Sequence, residues 1–129
     1  MILDSSFLID VLRGSSDVVE LIEAVDATGT PFVSAVTVVE LSEGIHLAEA
    51  TEDEQANVRQ LLTDINELPF DRDCAVRAGR INADLVSSGE PIDETDVMIA
   101  ATALVHDYPV VTRNVDHFER IDGLTVRSY

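Results

Sequence analysis

A chain of 129 residues with 46% hydrophobic content can bury one real core and is too apolar for a disordered segment. Twenty-five Asp and Glu stand against eight Arg and no Lys, a formal charge of −17, which leaves little basic charge for gripping a polyanion. One cysteine excludes a disulfide framework, and no run of 18 apolar residues offers a membrane span.

Met1, Ile2 and Leu3 make a short apolar start that stops at Asp4-Ser5-Ser6, the pattern of a strand running into a helix cap. Phe7, Leu8, Val11 and Leu12 continue as a helical stripe ending at Gly14. Asp4 and Asp10, without a basic flank, argue against a signal peptide. A helix is expected over 17–27, a strand over 32–36, and a helix from Thr37 with the stripe Val38, Leu41, Ile45 and Ala48. Helices follow over 51–65 and 73–86, with a short edge strand at 68–70 between them. Cys74 lies in the apolar stripe of the second of these and reads as a small buried hydrophobe. The stretch 95–106 is apolar nearly all round and should be a central helix. Val110-Val111 reads as a buried strand, 115–121 as a short helix and 124–126 as a last strand.

This alternation predicts a single α/β domain over 1–129, with a short, mostly parallel central sheet. In such sheets, sites form beyond the carboxyl ends of strands, where strand order reverses. Asp4 follows the first strand and Asn114 the strand at Val110-Val111, so both fall where a site is expected.

With so many acids, only placement is informative. Asp4 can be a helix cap, although Ser5 or Ser6 could serve as well. Glu40 has a structural explanation in Thr37-Val38-Val39-Glu40, the pattern of a capping box. Gly44, one turn on, is expected to let another group approach. Asp96 can complement a helix dipole, but Asp93 and Glu94 already do so, and Ala100 and Ala103 leave room on its face. Asp10 lies opposite the apolar stripe and reads as solvated, as does the run Glu52-Asp53-Glu54. His46, His106 and His117 are too scattered to suggest a zinc site. Three carboxylates meeting in one crevice would repel unless a divalent cation joined them, and all-oxygen ligands suit Mg²⁺ or Mn²⁺.

The stretches ILDSSFLIDVL, SAVTVVELSEGI, IDETDVMIAATAL, VVTRNVDHFERI and GLTVRSY, in this order, resemble the PIN-domain ribonucleases, most closely the VapC toxins of type II toxin–antitoxin pairs. Each stretch is weak alone; the ordered set spans almost the whole chain. The resemblance implies a three-layer α/β/α PIN-like fold and a Mg²⁺-dependent (or Mn²⁺-dependent) endoribonuclease that hydrolyses RNA phosphodiesters. It carries over Asp4, Glu40 and Asp96 as the core carboxylates, with Asp4 and Asp96 as metal ligands and Glu40 on the metal or on the attacking water. The family's fourth position, often Asp, is Asn114 here. Asp116, two residues on, is the other candidate for that role. Thr112 is expected to position this loop through its hydroxyl. Arg13 and Arg113, next in sequence to these elements, are the first candidates for phosphate contacts, with pairing to nearby acids as the plain alternative.

The resemblance further implies a cognate antitoxin that covers the site, and a homodimer. Two other functions compete: a PIN-like binding module without catalysis, which Asn114 makes conceivable, and a simple acidic Mg²⁺/Ca²⁺ binder, for which no EF-hand loop is present. A cytoplasmic protein is expected. Twenty-five acids without one Lys point to a salt-rich cytoplasm, as in a halophilic archaeon.

Overall fold

The computed structural model describes residues 1–13 and 30–128; the helix expected over 17–27 lies outside them. Five short strands form one sheet in the order β3-β2-β1-β4-β5: β1 Ile2–Leu3, β2 Phe32–Ser34, β3 Asn66–Leu68, β4 Val110–Val111 and β5 Val126–Arg127. The sheet expected to be mostly parallel is parallel at every pairing, with Ile2 opposite both Phe32 and Val110. The edge strand near 68–70 begins two residues earlier than expected, and the last strand two residues later than the 124–126 pattern placed it.

Strand side chains alternate between faces. Ile2 and Val110 point into one core, and Leu3, Val33 and Val111 into the other. Helices α4 (Arg72–Ser87), α5 (Glu94–His106) and α6 (Val115–Glu119) cover the first core through Ala78, Ile81, Leu85, Ile99 and Phe118. Helices α1 (Ser5–Leu12), α2 (Ala35–Leu47) and α3 (Glu52–Asp64) cover the second through Phe7, Leu8, Leu41 and Val58. The result is the expected three-layer arrangement. Each fully buried Ile, Leu or Phe contributes about 1.5–3 kcal/mol, so the two cores are the main source of stability.

Helix α5 is the central one. Val97, Ile99, Ala100, Ala101, Thr102 and Ala103 are all buried, as its all-round apolar pattern predicts. Ala100 and Ala103, expected on the Asp96 face, are packed into the core. Helix α4 starts at Arg72, where Asp71 caps it by accepting from Cys74 N at 3.1 Å. Cys74 is buried, as expected, and burial raises its thiol pKa. Gly89, just past α4, takes φ +71°, the left-handed turn that glycine allows without strain.

The capping box expected at Thr37 is not formed. Strand β2 stops at Ser34, whose hydroxyl accepts from Val36 N at 3.1 Å and caps α2 three residues earlier than anticipated. Thr37 is therefore inside the helix and buried, and Glu40 lies beyond reach of the cap. The same Thr-x-x-Glu pattern does cap its helix at Thr51. There the Thr51 hydroxyl accepts from Glu54 N at 3.2 Å and donates to Glu54 Oε1 at 3.1 Å.

Candidate active site

Strand order reverses around β1: β2 and β3 continue to one side, β4 and β5 to the other. The crevice between the carboxyl ends of β1 and β4 is therefore the switch point of the sheet. Asp4 leaves β1 there and is 1% exposed; Thr112 leaves β4 there and is fully buried. Asp4 holds the cap position of α1 with its backbone, through Phe7 N at 3.1 Å and Leu8 N at 3.3 Å. Its side chain makes no capping bond. Instead, Oδ2 accepts from the hydroxyls of Thr112 (2.8 Å) and Ser6 (3.0 Å). Two donors on one oxygen fix the carboxylate's orientation, while Oδ1 is buried with no partner. A buried charged acceptor left bare costs on the order of 1–3 kcal/mol or more.

Thr112 has a second task, the one expected of it. Its hydroxyl oxygen accepts from Asn114 N at 2.9 Å, and Arg113 N donates to Ser6 Oγ at 3.3 Å. The loop after β4 is thus laced to the start of α1.

Asp96 sits in the first turn of α5 and is 5% exposed. Burial raises its pKa and the Asp4 charge adds to that, while a hydrogen bond from His117 opposes it. His117 Nδ1 lies 3.1 Å from Asp96 Oδ2. Glu40, half-buried on α2, has its pKa raised to about 7, first by desolvation and then by the charges of Asp4 and Asp96; the Thr95 and Ser5 hydroxyls act the other way. Its Oε1 is also buried without a partner. Three carboxylates from three segments therefore feel one another in one crevice.

Two further candidates are placed differently. Asn114 and Asp116 are both exposed, and Asn114 caps α6 with its backbone only. Asp10, expected on a solvated face, is 6% exposed and forms an ion pair with Arg113, whose Nη1 donates to both carboxylate oxygens, at 2.9 and 3.1 Å. Arg113 is thereby tied to an acid. Arg13 is exposed at the end of α1 and lines a cavity of about 360 Å³ with Glu40, Ile9, Leu12, Gly44 and Val58. Nothing in the described structure approaches Gly44, so the close contact expected there is absent and the space lies open beside Glu40.

Reasoning from sequence missed His117. Its donor atom and those of Asp93 and Asp96 lie within 4.8 Å of one another, the one such group among the described residues. Spacing gave no sign of it, because 21 residues separate His117 from Asp96. The neighbouring acids also fit a divalent cation: Asp4 Oδ1 and Glu40 Oε1 are buried without partners, and the mutual repulsion of Asp4, Glu40 and Asp96 is relieved by positive charge.

The chain belongs to the PIN-domain family, whose model matches residues 1–124. It is 33% identical over 97 residues to the tRNA(fMet)-specific endonuclease VapC of Salmonella typhimurium, across 75% of this chain and 74% of that one. The DNA-bound VapBC structure from Salmonella typhimurium superposes with a TM-score of 0.89 at 29% identity, covering 98% of this chain and 96% of the other. VapBC-5 of Mycobacterium tuberculosis, a member of the VapBC family of toxin–antitoxin systems, gives a TM-score of 0.69 at 32% identity over 98% and 94%. Within the family, then, the similarity is to VapC ribonucleases, and the protein is a nuclease of that type.

Proposed function

We propose that the protein is the toxin of a toxin–antitoxin pair and hydrolyses RNA phosphodiester bonds at the crevice of Asp4, Glu40 and Asp96, using Mg²⁺ or Mn²⁺. The observation that carries this is the pair of buried, unpartnered oxygens, Asp4 Oδ1 and Glu40 Oε1, in a cluster of acids at the sheet's switch point. No capping role accounts for either side chain.

Asp4 and Asp96 would hold the ion. Once bound, a divalent cation lowers the pKa of a water and offsets charge building on the phosphoryl oxygens. Asp4 is preset for this by Ser6 and Thr112, which occupy Oδ2 and leave Oδ1 free to ligate. Glu40 would bind the ion, or orient the attacking water and accept its proton. The fourth role falls to Asn114 or Asp116, on the loop that Thr112 tethers. Since Arg113 is engaged by Asp10, Arg13 is the better candidate for a substrate phosphate.

The named relatives extend the reading to partners. The VapBC structures support a cognate antitoxin as partner; an antitoxin Arg against the carboxylates and a dimer of this chain are what the family resemblance implies. The charge of −17 without Lys supports a cytoplasm rich in salt, as in a halophilic archaeon. A binding module without catalysis is disfavoured, because it would have no use for three mutually repelling acids.

The test is RNA cleavage under metal titration with Asp4→Ala and Asp96→Asn. Each variant should lose at least about a hundredfold in rate while keeping its circular dichroism spectrum. Cleavage at the parent rate in either variant refutes the assignment.

A further inference from the structure

The hydrolysis described above leaves His117 without a task, although the residue stands at the reactive crevice. Its Nδ1 is 3.1 Å from Asp96 Oδ2, and the Asp93 carboxylate completes a group of three donors within 4.8 Å of one another. Two ligands at right angles on an octahedral ion with bonds of about 2.1 Å stand about 3 Å apart, and opposed ligands about 4.2 Å apart. The 3.1 Å between His117 Nδ1 and Asp96 Oδ2 suits two adjacent ligands of one ion. A hydrogen bond alone would also explain the His117–Asp96 contact. A second, separate observation points to a cation: Asp4, 1% exposed and near enough to raise the pKa of Asp96, keeps Oδ1 buried with no hydrogen-bond partner.

We propose that His117 is itself a ligand of the active-site ion, through Nδ1 and alongside Asp96 and Asp93, and that it shifts the site from Mg²⁺ toward Mn²⁺ and later first-row divalent ions. The inference rests on the crevice being a metal-dependent nuclease site. Its chemistry is donor softness. Mg²⁺ takes oxygen and holds its waters, whereas imidazole is a good ligand for first-row transition ions. To ligate, the ring must be neutral with its proton on Nε2. His117 is accessible enough for this, with its side chain 39% exposed, and α6 delivers it to the first turn of α5. The competing role is that of a positioning residue, with His117 steering Asp96 by a hydrogen bond and never touching the ion.

The experiment is pulsed EPR of Mn²⁺ bound to the whole protein, read for directly coordinated ¹⁴N, with calorimetric titration of Mn²⁺ and Mg²⁺ in parallel. The parent protein should show the nitrogen coupling, which His117→Ala abolishes and His46→Ala retains. His117→Ala should weaken Mn²⁺ binding by about 10–100-fold. Mg²⁺ binding should stay within about threefold of the parent, because nitrogen contributes little to that ion. Mn²⁺ that binds the parent, is lost in Asp96→Asn and shows no nitrogen coupling overturns the ligand role and leaves the nuclease reading standing. Equal weakening of both ions in His117→Ala also overturns it, in favour of positioning. Failure of the parent to bind any ion sensitive to Asp96→Asn overturns both. The parent spectrum decides the matter even if the alanine variant fails to fold.

Discussion

Glu40→Gln should make the protein more stable and nearly inactive. Desolvation and the charges of Asp4 and Asp96 raise the Glu40 pKa from 4.5 to about 7 in the folded protein. A carboxyl whose folded pKa lies above its unfolded one holds its proton more tightly when folded, so ionising it destabilises the fold. Below pH 4.5 both states are protonated and nothing is lost. The penalty grows as pH rises toward 7 and is complete above it. At 1.36 kcal/mol per pH unit the ceiling is about 3.4 kcal/mol. Glu40 is only half-buried, and solvent screening cuts this to about 1–2 kcal/mol. Glutamine keeps the shape and removes the charge. The variant should therefore melt about 3–8 °C above the parent at pH 8 in chelator, and at the same temperature near pH 4.5. Saturating Mn²⁺ should close the gap at pH 8 by neutralising the parent's acids, and cleavage should fall at least about a hundredfold. The assay is thermal denaturation of both proteins by circular dichroism at constant high salt from pH 4.5 to 8. A stability difference that is flat across that range would refute the proposed repulsion among the three carboxylates.

Thr112→Val removes a donor to Asp4 and the acceptor for Asn114 N, so urea denaturation should show a loss of about 2–3 kcal/mol, with weakened cleavage. Ser34→Ala should cost about 1 kcal/mol through its cap and leave the cleavage rate of the folded protein unchanged. If Ser34→Ala is silent in a melt, the cap is not where α2 begins. Lowering salt from molar concentrations, where the Debye length is about 3 Å, to about 0.01 M, where it is about 30 Å, should lower the melting temperature markedly. A melting temperature indifferent to salt would remove the support for a salt-rich setting.

Asp4 and Asp96 could be singled out in the sequence because each adjoins an apolar run and has a neighbour able to do its capping work. That is local information, and it carried over into the crevice. The alternation of strands and helices likewise made the parallel sheet legible. What failed depended on distant residues. The Thr-x-x-Glu pattern at Thr37 looks like a cap, and only the point where β2 stops shows that it is not one. That point is set by pairing with β3, where Ser34 meets Leu68. Asp10 reads as solvated on a helical wheel because its partner, Arg113, comes from 103 residues away. His117 is invisible for the same reason: only the docking of α6 against α5 brings it to Asp96.

The bond from Thr112 to Asp4 also bears on timing during synthesis. It joins residues 108 positions apart, across two strands that pair directly. A ribosome must deliver the chain past β4 before that strand can take its place beside β1 and orient the first carboxylate. Until then the nascent chain carries the acids but not the machinery that aims them. Its translating ribosome, and the RNA around it, are thereby spared an armed nuclease until β4 has emerged and paired.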